Sequence, residues 1–168
     1  CERGNGMFNL TDKRALVTGA TGGIGAAIGR ALHAQGAEVA LSGSREEVLN
    51  KQVAEFGERA HALTCDLSDT QAAEGLLNKA SEAMGGVEIL VHCAGITRDN
   101  LALRMKNDEW QDVIDINLGT GFRLARASLR GMMKARWGRI LFITSVVGTT
   151  GNPGQANYAA SKSGLTGL

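Results

Sequence analysis

Residues 14–36, RALVTGATGGIGAAIGRALHAQG, decide the fold of this chain. The stretch begins with a short apolar run, residues 14–18, that favours a buried strand. A glycine-rich loop, GATGGIG at residues 19–25, follows it, and apolar residues then repeat at helical spacing: Ile24, Ala27, Ile28, Ala31 and Leu32. A strand, a glycine loop and a helix in this order place free backbone N–H groups at a helix N-terminus, where phosphate is a favoured ligand. We therefore predict a phosphate-binding turn, although its glycines depart from G-x-G-x-x-G spacing.

Four more apolar runs predict four further strands, at residues 38–42, 60–65, 87–92 and 139–144. Helical patterns separate the runs, and this alternation predicts a parallel sheet with right-handed crossovers. The expected fold class is α/β, a Rossmann-like doubly wound parallel sheet in three α/β/α layers. No internal repeat or second domain is visible. We expect an N-terminal extension at residues 1–6 and a single dinucleotide-binding domain over residues 7–168.

Capping residues predict where the helices begin and end. Two capping boxes are expected, Ser44 with Glu47 for a helix through about Phe56, and Ser68 with Gln71 for a helix that ends at Met84 before two glycines. Asn107 is expected to cap a long helix through about Arg136, with one apolar stripe: Trp110, Val113, Ile114, Leu118, Ala125, Leu129 and Met132. Asn117 falls on this stripe and needs a partner there. It is either a structural amide or a link from the helix backbone to an active site.

Polar groups and glycines follow the strands at their carboxyl ends, where ligands of such sheets bind. These are the glycine loop, Ser44 with Arg45, Asp66, Cys93-Ala94-Gly95 and Ser145. No carboxylate follows the second strand, so Arg45 favours the 2′-phosphate of NADP over the free ribose of NAD. Arg45 could equally be a solvated first-turn residue. Asp66 is either a turn residue or an acceptor of hydrogen bonds from an adenine.

Residues 145–162, SVVGTTGNPGQANYAASK, place Tyr158 and Lys162 four residues apart. On a helix such residues share one face, and a nearby cation favours the phenolate form of a tyrosine. A tyrosine in that setting can act as a general acid or base, and Ser145 could add a hydroxyl donor to the same substrate oxygen. The alternative is an ordinary solvated helix pair.

Composition excludes several classes of function. The net charge is +1, with 43% hydrophobic and 21% charged residues, so neither nucleic acid nor a membrane surface is an expected partner. No apolar run is long enough to span a membrane. The cysteines and histidines lack metal-ligand spacing, and we expect no metal and a reducing, cytoplasmic location. Six basic residues, Arg123, Arg126, Arg130, Lys134, Arg136 and Arg139, are either solvated surface or a contact for an acidic partner.

Taken together, these motifs resemble those of a known protein family. TGATGGIG, residues 18–25, matches the TGxxxGxG cofactor loop of the short-chain dehydrogenase/reductase family, and the family pattern also includes Asp66, Asn117, Ser145, Tyr158 and Lys162. Residues 95–118 and 145–162 resemble the branch of 3-oxoacyl-[acyl-carrier-protein] reductases in bacterial-type fatty acid synthesis.

The resemblance implies NADPH-dependent reduction of a 3-oxoacyl group carried on acyl-carrier protein. Tyr158 would protonate the keto oxygen, Lys162 would hold the nicotinamide ribose, Ser145 would bind the carbonyl oxygen, and Asn117 would support a water relay to Lys162. The implied NADP(H)-binding residues are Gly19, Ala20, Thr21, Gly23, Ile24, Gly25, Ser44, Arg45, Asp66, Leu67, Cys93, Ala94, Gly95, Tyr158 and Lys162. The carrier would dock at Arg136, and the full-length protein would be a homotetramer.

The chain also departs from the family pattern. The family commonly has Asn-Asn-Ala-Gly after the fourth strand, whereas this chain has His92-Cys93-Ala94-Gly95, and a thiol does not repeat the hydrogen bonds of an amide. The sequence ends at Leu168, so we expect truncation inside the catalytic helix, no C-terminal strands and an exposed apolar edge at the fifth strand. Reduction of another ketone or alcohol, or a catalytically silent dinucleotide-binding fragment, are the alternative functions.

Overall fold

The computed structural model describes residues 8–168, and the expected extension at residues 1–6 lies outside them. Five parallel strands form one sheet in the order β3-β2-β1-β4-β5, which confirms the predicted fold class. The strands are β1 Arg14–Thr18, β2 Glu38–Gly43, β3 Ala60–Thr64, β4 Ile89–His92 and β5 Arg139–Phe142. Their ends differ by at most two residues from those predicted.

Helices cover both faces of the sheet. They are α1 Gly23–Ala34, α2 Glu46–Phe56, α3 Thr70–Met84, α4 Asn107–Val113, α5 Thr120–Ala135, α6 Val147–Thr150 and α7 Ala156–Gly167. A π-helical turn, Ile114–Gly119, joins α4 to α5. Strand side chains alternate between the faces. One core therefore packs against α1 and α2 around Val17 and Leu41, and the other packs against α3 and α5 around Leu16 and Leu90.

The buried face of α1 matches the predicted stripe only in part, since Ile28 and Leu32 pack against the core. Ile24 is 62% exposed, and Ala27 and Ala31 are exposed as well. The helix instead buries Gly25 and Gly29. A Cβ on Gly25 would lie 2.4 Å from the carbonyl oxygen of Gly19, so the absence of a side chain is what lets the helix approach its own loop. The prediction was wrong for Ile24, Ala27 and Ala31, because a close approach through glycines leaves no signal in the spacing of apolar residues.

The predicted helix starts were wrong by one residue in three places. Arg45, not Ser44, is the N-cap of α2. Asp69, not Ser68, caps α3, and its carboxylate accepts hydrogen bonds from the backbone N–H groups of Gln71 and Ala72 at 2.9 and 3.2 Å. Lys106, not Asn107, is the N-cap of α4. The predicted end of α3 is confirmed, because Gly85 adopts the left-handed conformation (φ +79°) directly after Met84.

The long helix from residue 107 to 135 does not keep one apolar stripe. Trp110 and Leu129 are 40% and 47% exposed, whereas Val113, Leu124 and Met132 are buried. The π turn inserts an extra residue into the helical repeat and so rotates the stripe on either side of it. A strict 3.6-residue period cannot anticipate that change.

The edge of the sheet at β5 is open within the described part of the chain. Strand β5 pairs with β4 alone there, and Leu141 is 46% exposed. A groove of about 580 Å³ lies beside it, lined in part by Phe122, Leu129 and Leu165. The expected exposed apolar edge is therefore present among residues 8–168. No described helix is long and apolar enough to cross a membrane.

Candidate active site

A cleft of about 420 Å³ lies at the carboxyl edge of the sheet, where the sequence predicted ligand binding. Its lining comes from the segments at the carboxyl ends of β1 to β4, the start of α1 and the π turn, and contains Gly19, Thr21, Gly22, Gly23, Ile24, Gly25, Gly43, Ser44, Arg45, Cys65, Asp66, Leu67, Ser68, Cys93, Ala94, Gly95, Ile96 and Ile116. Most of the predicted cofactor-binding residues are among them. Ala20, Tyr158 and Lys162 are not among them. Ala20 is fully buried, and its N–H donates to the Ser42 carbonyl at 2.9 Å.

The glycine loop has the shape of a cradle for a phosphate group. Gly19 has φ +67°, and a Cβ there would lie 2.7 Å from the backbone nitrogen of Ala94. Nothing lies within 4 Å of a Cβ placed on Gly23, at the first position of α1. The loop therefore packs tightly on the β4 side and leaves its backbone bare towards the cleft. These features fit the pyrophosphate of a dinucleotide at a helix N-terminus.

Polar groups at the ends of β2 and β3 face the same cleft. The guanidinium of Arg45 donates a hydrogen bond to the carbonyl oxygen of Thr21, so Arg45 is folded against the glycine loop. One carboxylate oxygen of Asp66 accepts from the backbone N–H and the hydroxyl of Ser68, at 2.9 and 2.7 Å. These hydrogen bonds lower the pKa of Asp66, with burial opposing them slightly. Asp66 is thus both a turn residue and part of the cleft.

Tyr158 and Lys162 lie together on α7 and are not an ordinary solvated pair. The ammonium nitrogen of Lys162 is 5.6 Å from the centre of the Tyr158 ring. Lys162 is only 4% exposed and donates to the carbonyl oxygen of Ile143 at 2.8 Å. Burial lowers the pKa of Lys162, and the nearby Cys93 opposes that shift. Lysine side chains are rarely buried in folded proteins, so the burial of Lys162 indicates a functional site.

Lys162 lies close to the cleft and to the segment that carries Ser145, because glycines in both places allow a close approach. A Cβ on Gly95, which lines the cleft, would lie 3.4 Å from the Lys162 nitrogen. Ser145 is half-buried, and its hydroxyl accepts a hydrogen bond from the backbone N–H of Val147 at 3.2 Å. The short helix α6 that follows packs on α7, because a Cβ on Gly148 would lie 2.9 Å from the Ser163 nitrogen.

Asn117 combines the two interpretations that the sequence left open. It is fully buried in the π turn, and all of its amide is engaged. Its side-chain oxygen accepts from the Ile96 N–H at 2.8 Å, and its NH₂ group donates to the Ile96 carbonyl and the Ser161 hydroxyl, both at 3.0 Å. Asn117 therefore joins the loop after β4, which lines the cleft, to α7, which carries Tyr158.

Sequence reasoning missed Asn157 and Ser161, the residues before Tyr158 and Lys162. Both are fully buried. The NH₂ group of Asn157 donates to two backbone carbonyls, and its oxygen accepts from the Tyr158 N–H. The signal was available, since Asn157, Ser161 and Leu165 repeat every four residues and so share the buried face of α7.

Cys93 and His92, which stand where the family commonly has two asparagines, have different surroundings. Cys93 is half-buried and lines the cleft, where burial raises the pKa of its thiol while the charge of Lys162 opposes the shift. His92 is fully buried, and burial lowers its pKa to about 4. Arg136 does not share the cleft. It precedes β5 and lies at the amino edge of the parallel sheet, opposite the carboxyl edge.

A family model described as short chain dehydrogenase matches residues 13–168. The chain therefore belongs to the short-chain dehydrogenase family. Over 162 residues it is 52% identical to Nodulation protein G of Rhizobium sp. (strain N33), covering 96% of this chain and 66% of that protein. Over 161 residues it is 49% identical to 3-oxoacyl-[acyl-carrier-protein] reductase FabG of Escherichia coli (strain K12), with the same coverage.

The fold also matches a solved relative. A crystal structure from Sinorhizobium meliloti 1021, described as a short-chain alcohol dehydrogenase, superposes with a TM-score of 0.90 at 37% identity. The match covers 95% of this chain and 65% of that one. The chain thus spans about two thirds of the length of the proteins that it resembles.

Proposed function

We propose that the protein is an NADPH-dependent oxidoreductase that reduces 3-oxoacyl-[acyl-carrier-protein] to 3-hydroxyacyl-[acyl-carrier-protein] in cytoplasmic fatty acid synthesis. The observation that carries the proposal is the buried ammonium of Lys162 beside the Tyr158 ring, next to a glycine-lined cleft. The 49% identity to a 3-oxoacyl-[acyl-carrier-protein] reductase supports the substrate.

The residues of the cleft fit NADP(H) better than NAD(H). The bare glycine loop would hold the pyrophosphate, and Asp66 with Leu67 would border the adenine. Arg45 lies against Thr21 at the end of β2, where a 2′-phosphate needs a cation and a free ribose needs a carboxylate. When bound, NADPH supplies the hydride that is added to the carbonyl carbon.

In this proposal the chain itself handles the proton and the oxygen. The Tyr158 hydroxyl donates its proton to the carbonyl oxygen as that oxygen gains negative charge, and Ser145 donates a hydrogen bond to the same oxygen. The Lys162 ammonium stabilises the phenolate that Tyr158 becomes, and would also bind the nicotinamide ribose. Asn117 holds the turn that faces Lys162, and so supports return of a proton to Tyr158 through water.

We further infer that the carrier protein docks at Arg136 and that the working protein is a homotetramer. Arg136 is exposed and follows Lys134 at the end of α5, so it could meet an acidic partner. Because Arg136 lies at the edge opposite its own cleft, docking there would serve the cleft of another subunit. Exposed apolar residues on α5, among them Leu129 and Met133, fit such an assembly.

A second candidate substrate is another ketone or alcohol. The 37% identity to a solved relative described as a short-chain alcohol dehydrogenase supports it, and the 52% identity to Nodulation protein G shows that the reductases are not alone in their similarity to this chain. The buried ammonium of Lys162 beside the half-buried Tyr158 ring argues against a parent protein that has lost its catalytic residues, and turnover separates an active chain from a catalytically silent fragment.

Oxidation of NADPH with a 3-oxoacyl thioester and with unrelated ketones tests the proposal. We expect turnover with the thioester and a loss of about 10²-fold or more in the Tyr158→Phe variant, the usual contribution of a positioned general acid. The unfolding midpoint of the variant should stay unchanged, which separates chemistry from folding. Full activity of Tyr158→Phe would contradict the mechanism, and preference for a simple ketone would favour the second candidate.

The docking inference has its own test. Arg136→Glu should raise KM for the carrier-bound substrate several-fold, because it places a carboxylate against an acidic partner. It should leave KM for the same acyl group on a small thioester unchanged. Lys79→Glu, an exposed change on α3, is the matched control. Equal effects of the two variants would overturn docking at Arg136.

A further inference from the structure

His92 lies in a buried hydrogen-bond chain that crosses from the cleft to the catalytic helices. Its Nδ1 is 3.0 Å from the Thr18 hydroxyl, and that hydroxyl accepts from the backbone N–H of Ala94 at 3.3 Å. Its Nε2 is 2.9 Å from the backbone carbonyl oxygen of Asn117 in the π turn. One imidazole therefore touches β1 and the π turn from the end of β4.

The directions of these hydrogen bonds follow from the groups involved. A carbonyl oxygen only accepts, so Nε2 carries a proton and donates to Asn117. Thr18 receives the Ala94 N–H and has its own hydroxyl proton to give, and Nδ1 of a neutral imidazole is an acceptor. Burial keeps the ring neutral by lowering the pKa of His92 to about 4; the hydrogen bond to the Asn117 carbonyl opposes this shift, and the charge of Lys162 adds to it. One neutral tautomer, with the proton on Nε2, satisfies every partner.

The ring has little freedom to turn away from this arrangement. A Cβ on Gly121 of α5 would lie 3.0 Å from Cδ2 of His92, so the helix packs directly on the imidazole. The ring of Phe142 contacts it edge-on, with 6.4 Å between ring centres. The imidazole is thus held between β5 and α5, so a shift of either element would move the ring.

We propose that His92 is a positioning residue: its Nε2–H fixes the Asn117 carbonyl, and with it the π turn beside Gly95 and Lys162, while its Nδ1 ties that turn to the cleft through Thr18. The family commonly has an asparagine at this position, and the shorter amide does not extend as far as an imidazole. The kinetic consequence of this inference rests on the proposed function, but the hydrogen-bond chain does not.

Nitrogen NMR of the unaltered, ¹⁵N-labelled protein tests the chain without any reaction. The chain has three histidines, and the His92 signal is identified by its loss in His92→Gln. Two-bond hydrogen–nitrogen couplings distinguish the tautomers. We expect a neutral ring with the proton on Nε2, unchanged from about pH 5.5 to 9, since the ring stays buried and uncharged there. A proton on Nδ1, or titration near the ordinary value of about 6.5, would overturn the proposal.

Two substitutions then test positioning. His92→Gln keeps an N–H that can reach the Asn117 carbonyl, whereas His92→Leu keeps the bulk and removes both hydrogen bonds. We expect the side-chain amide signals of Asn117 to move in His92→Leu and to stay near their original positions in His92→Gln. In turnover, His92→Leu should lower kcat about ten-fold with little change in NADPH affinity, and His92→Gln should restore most of it, because misplacement of supporting groups costs rate rather than binding.

These outcomes are separable from those of the proposed function. An inactive parent protein would sink the reductase proposal, while the tautomer and the Asn117 signals would still decide the role of His92. Unmoved Asn117 signals in a folded His92→Leu, or equal impairment of the two variants, would show that His92 only fills space. If His92→Leu does not fold, the tautomer of the unaltered protein decides.

Discussion

At the scale of single residues, Asn157 is the side chain on which the position of Tyr158 most depends. Its NH₂ group donates to the carbonyls of Arg98 and Glu109 at 2.9 and 3.0 Å, and its oxygen accepts from the Tyr158 N–H at 2.8 Å. It thus joins the loop after β4, helix α4 and helix α7. A fully buried amide with three satisfied hydrogen bonds tolerates no exchange of its donor for an acceptor.

Asn157→Asp should therefore destabilise the protein strongly although the change conserves shape. A carboxylate would face two carbonyl oxygens, and losing paired donors in a buried site costs about 3 kcal/mol. Urea unfolding measures the effect. Asn152→Asp, an exposed asparagine five residues earlier, is the matched control and should cost under about 0.5 kcal/mol. A similar unfolding midpoint for the two variants would refute the assigned role of Asn157.

Glu88 provides a pH test at the same scale. Its carboxylate accepts from the Arg14 backbone N–H at 3.1 Å and from the Arg14 side chain at 2.9 Å, at the amino ends of β1 and β4. Burial alone raises the pKa of Glu88, but the hydrogen bonds and charge of Arg14 outweigh it and lower the pKa overall. A depressed folded pKa contributes stability above the unfolded value, and that stability is lost as pH falls through the folded pKa.

Glu88→Gln should consequently be less stable than the parent at pH 6–7. The difference should shrink as pH falls below about 4.3, the ordinary value for glutamate. Unfolding in urea at a series of pH values gives the difference directly, with the exposed Glu74→Gln as control. A gap that stays constant or widens in acid would mean that the Arg14 pair does not set the pKa of Glu88.

At the scale of elements, the start of α3 separates the observed cap from the predicted one. Asp69 accepts from two free N–H groups of the first turn, whereas the Ser68 hydroxyl is used by Asp66. Asp69→Ala should cost about 1 kcal/mol of unfolding free energy, and Ser68→Ala should cost clearly less. Thermal unfolding of the two variants makes the comparison. The reverse order would restore Ser68 as the cap.

Two glycines in helices should respond in opposite ways to replacement by alanine. In α1, a Cβ on Gly25 would lie 2.4 Å from the Gly19 carbonyl, so Gly25→Ala must displace the glycine loop. In α3, a Cβ on Gly75 meets nothing within 4 Å. Gly75→Ala should stabilise the protein by up to about 1 kcal/mol through helix propensity. Gly25→Ala should destabilise it by about 1–3 kcal/mol through overpacking.

Calorimetric unfolding measures the stability of the two variants, and titration with NADPH measures their affinity for the cofactor. Gly25→Ala should also weaken NADPH binding, and Gly75→Ala should leave binding unchanged. A stable Gly25→Ala protein with normal affinity would show that the loop does not need its close contact with α1.

At the scale of the whole molecule, the alternation of strands and helices was predictable and fine contacts were not. Hydrophobic runs located all five strands of the described chain, because a parallel sheet buries its strands on both faces. The predicted apolar stripes of α1 and of residues 107–135 differ in part from the observed buried faces, for different reasons. Helix α1 approaches its neighbours through glycines, and the long helix contains a π turn, and neither feature has a signature in hydrophobic periodicity.

The candidate site was predictable where residues follow directly on strands. Arg45, Asp66 and Cys93 line the cleft because the carboxyl ends of parallel strands meet at one edge. The roles of Asn157, Ser161 and His92 depend on partners far along the chain, so no local pattern assigns them.

The measurement that tests the account most directly is a calorimetric titration of the protein with NADPH and with NADH. We predict saturable binding of one NADPH per chain, at least about ten-fold tighter than NADH, because Arg45 can pair with the 2′-phosphate. Arg45→Gln should remove most of that preference and spare NADH binding. Absence of saturable binding, or equal affinity for the two nucleotides, would contradict the assignment of the cleft as an NADP(H) site.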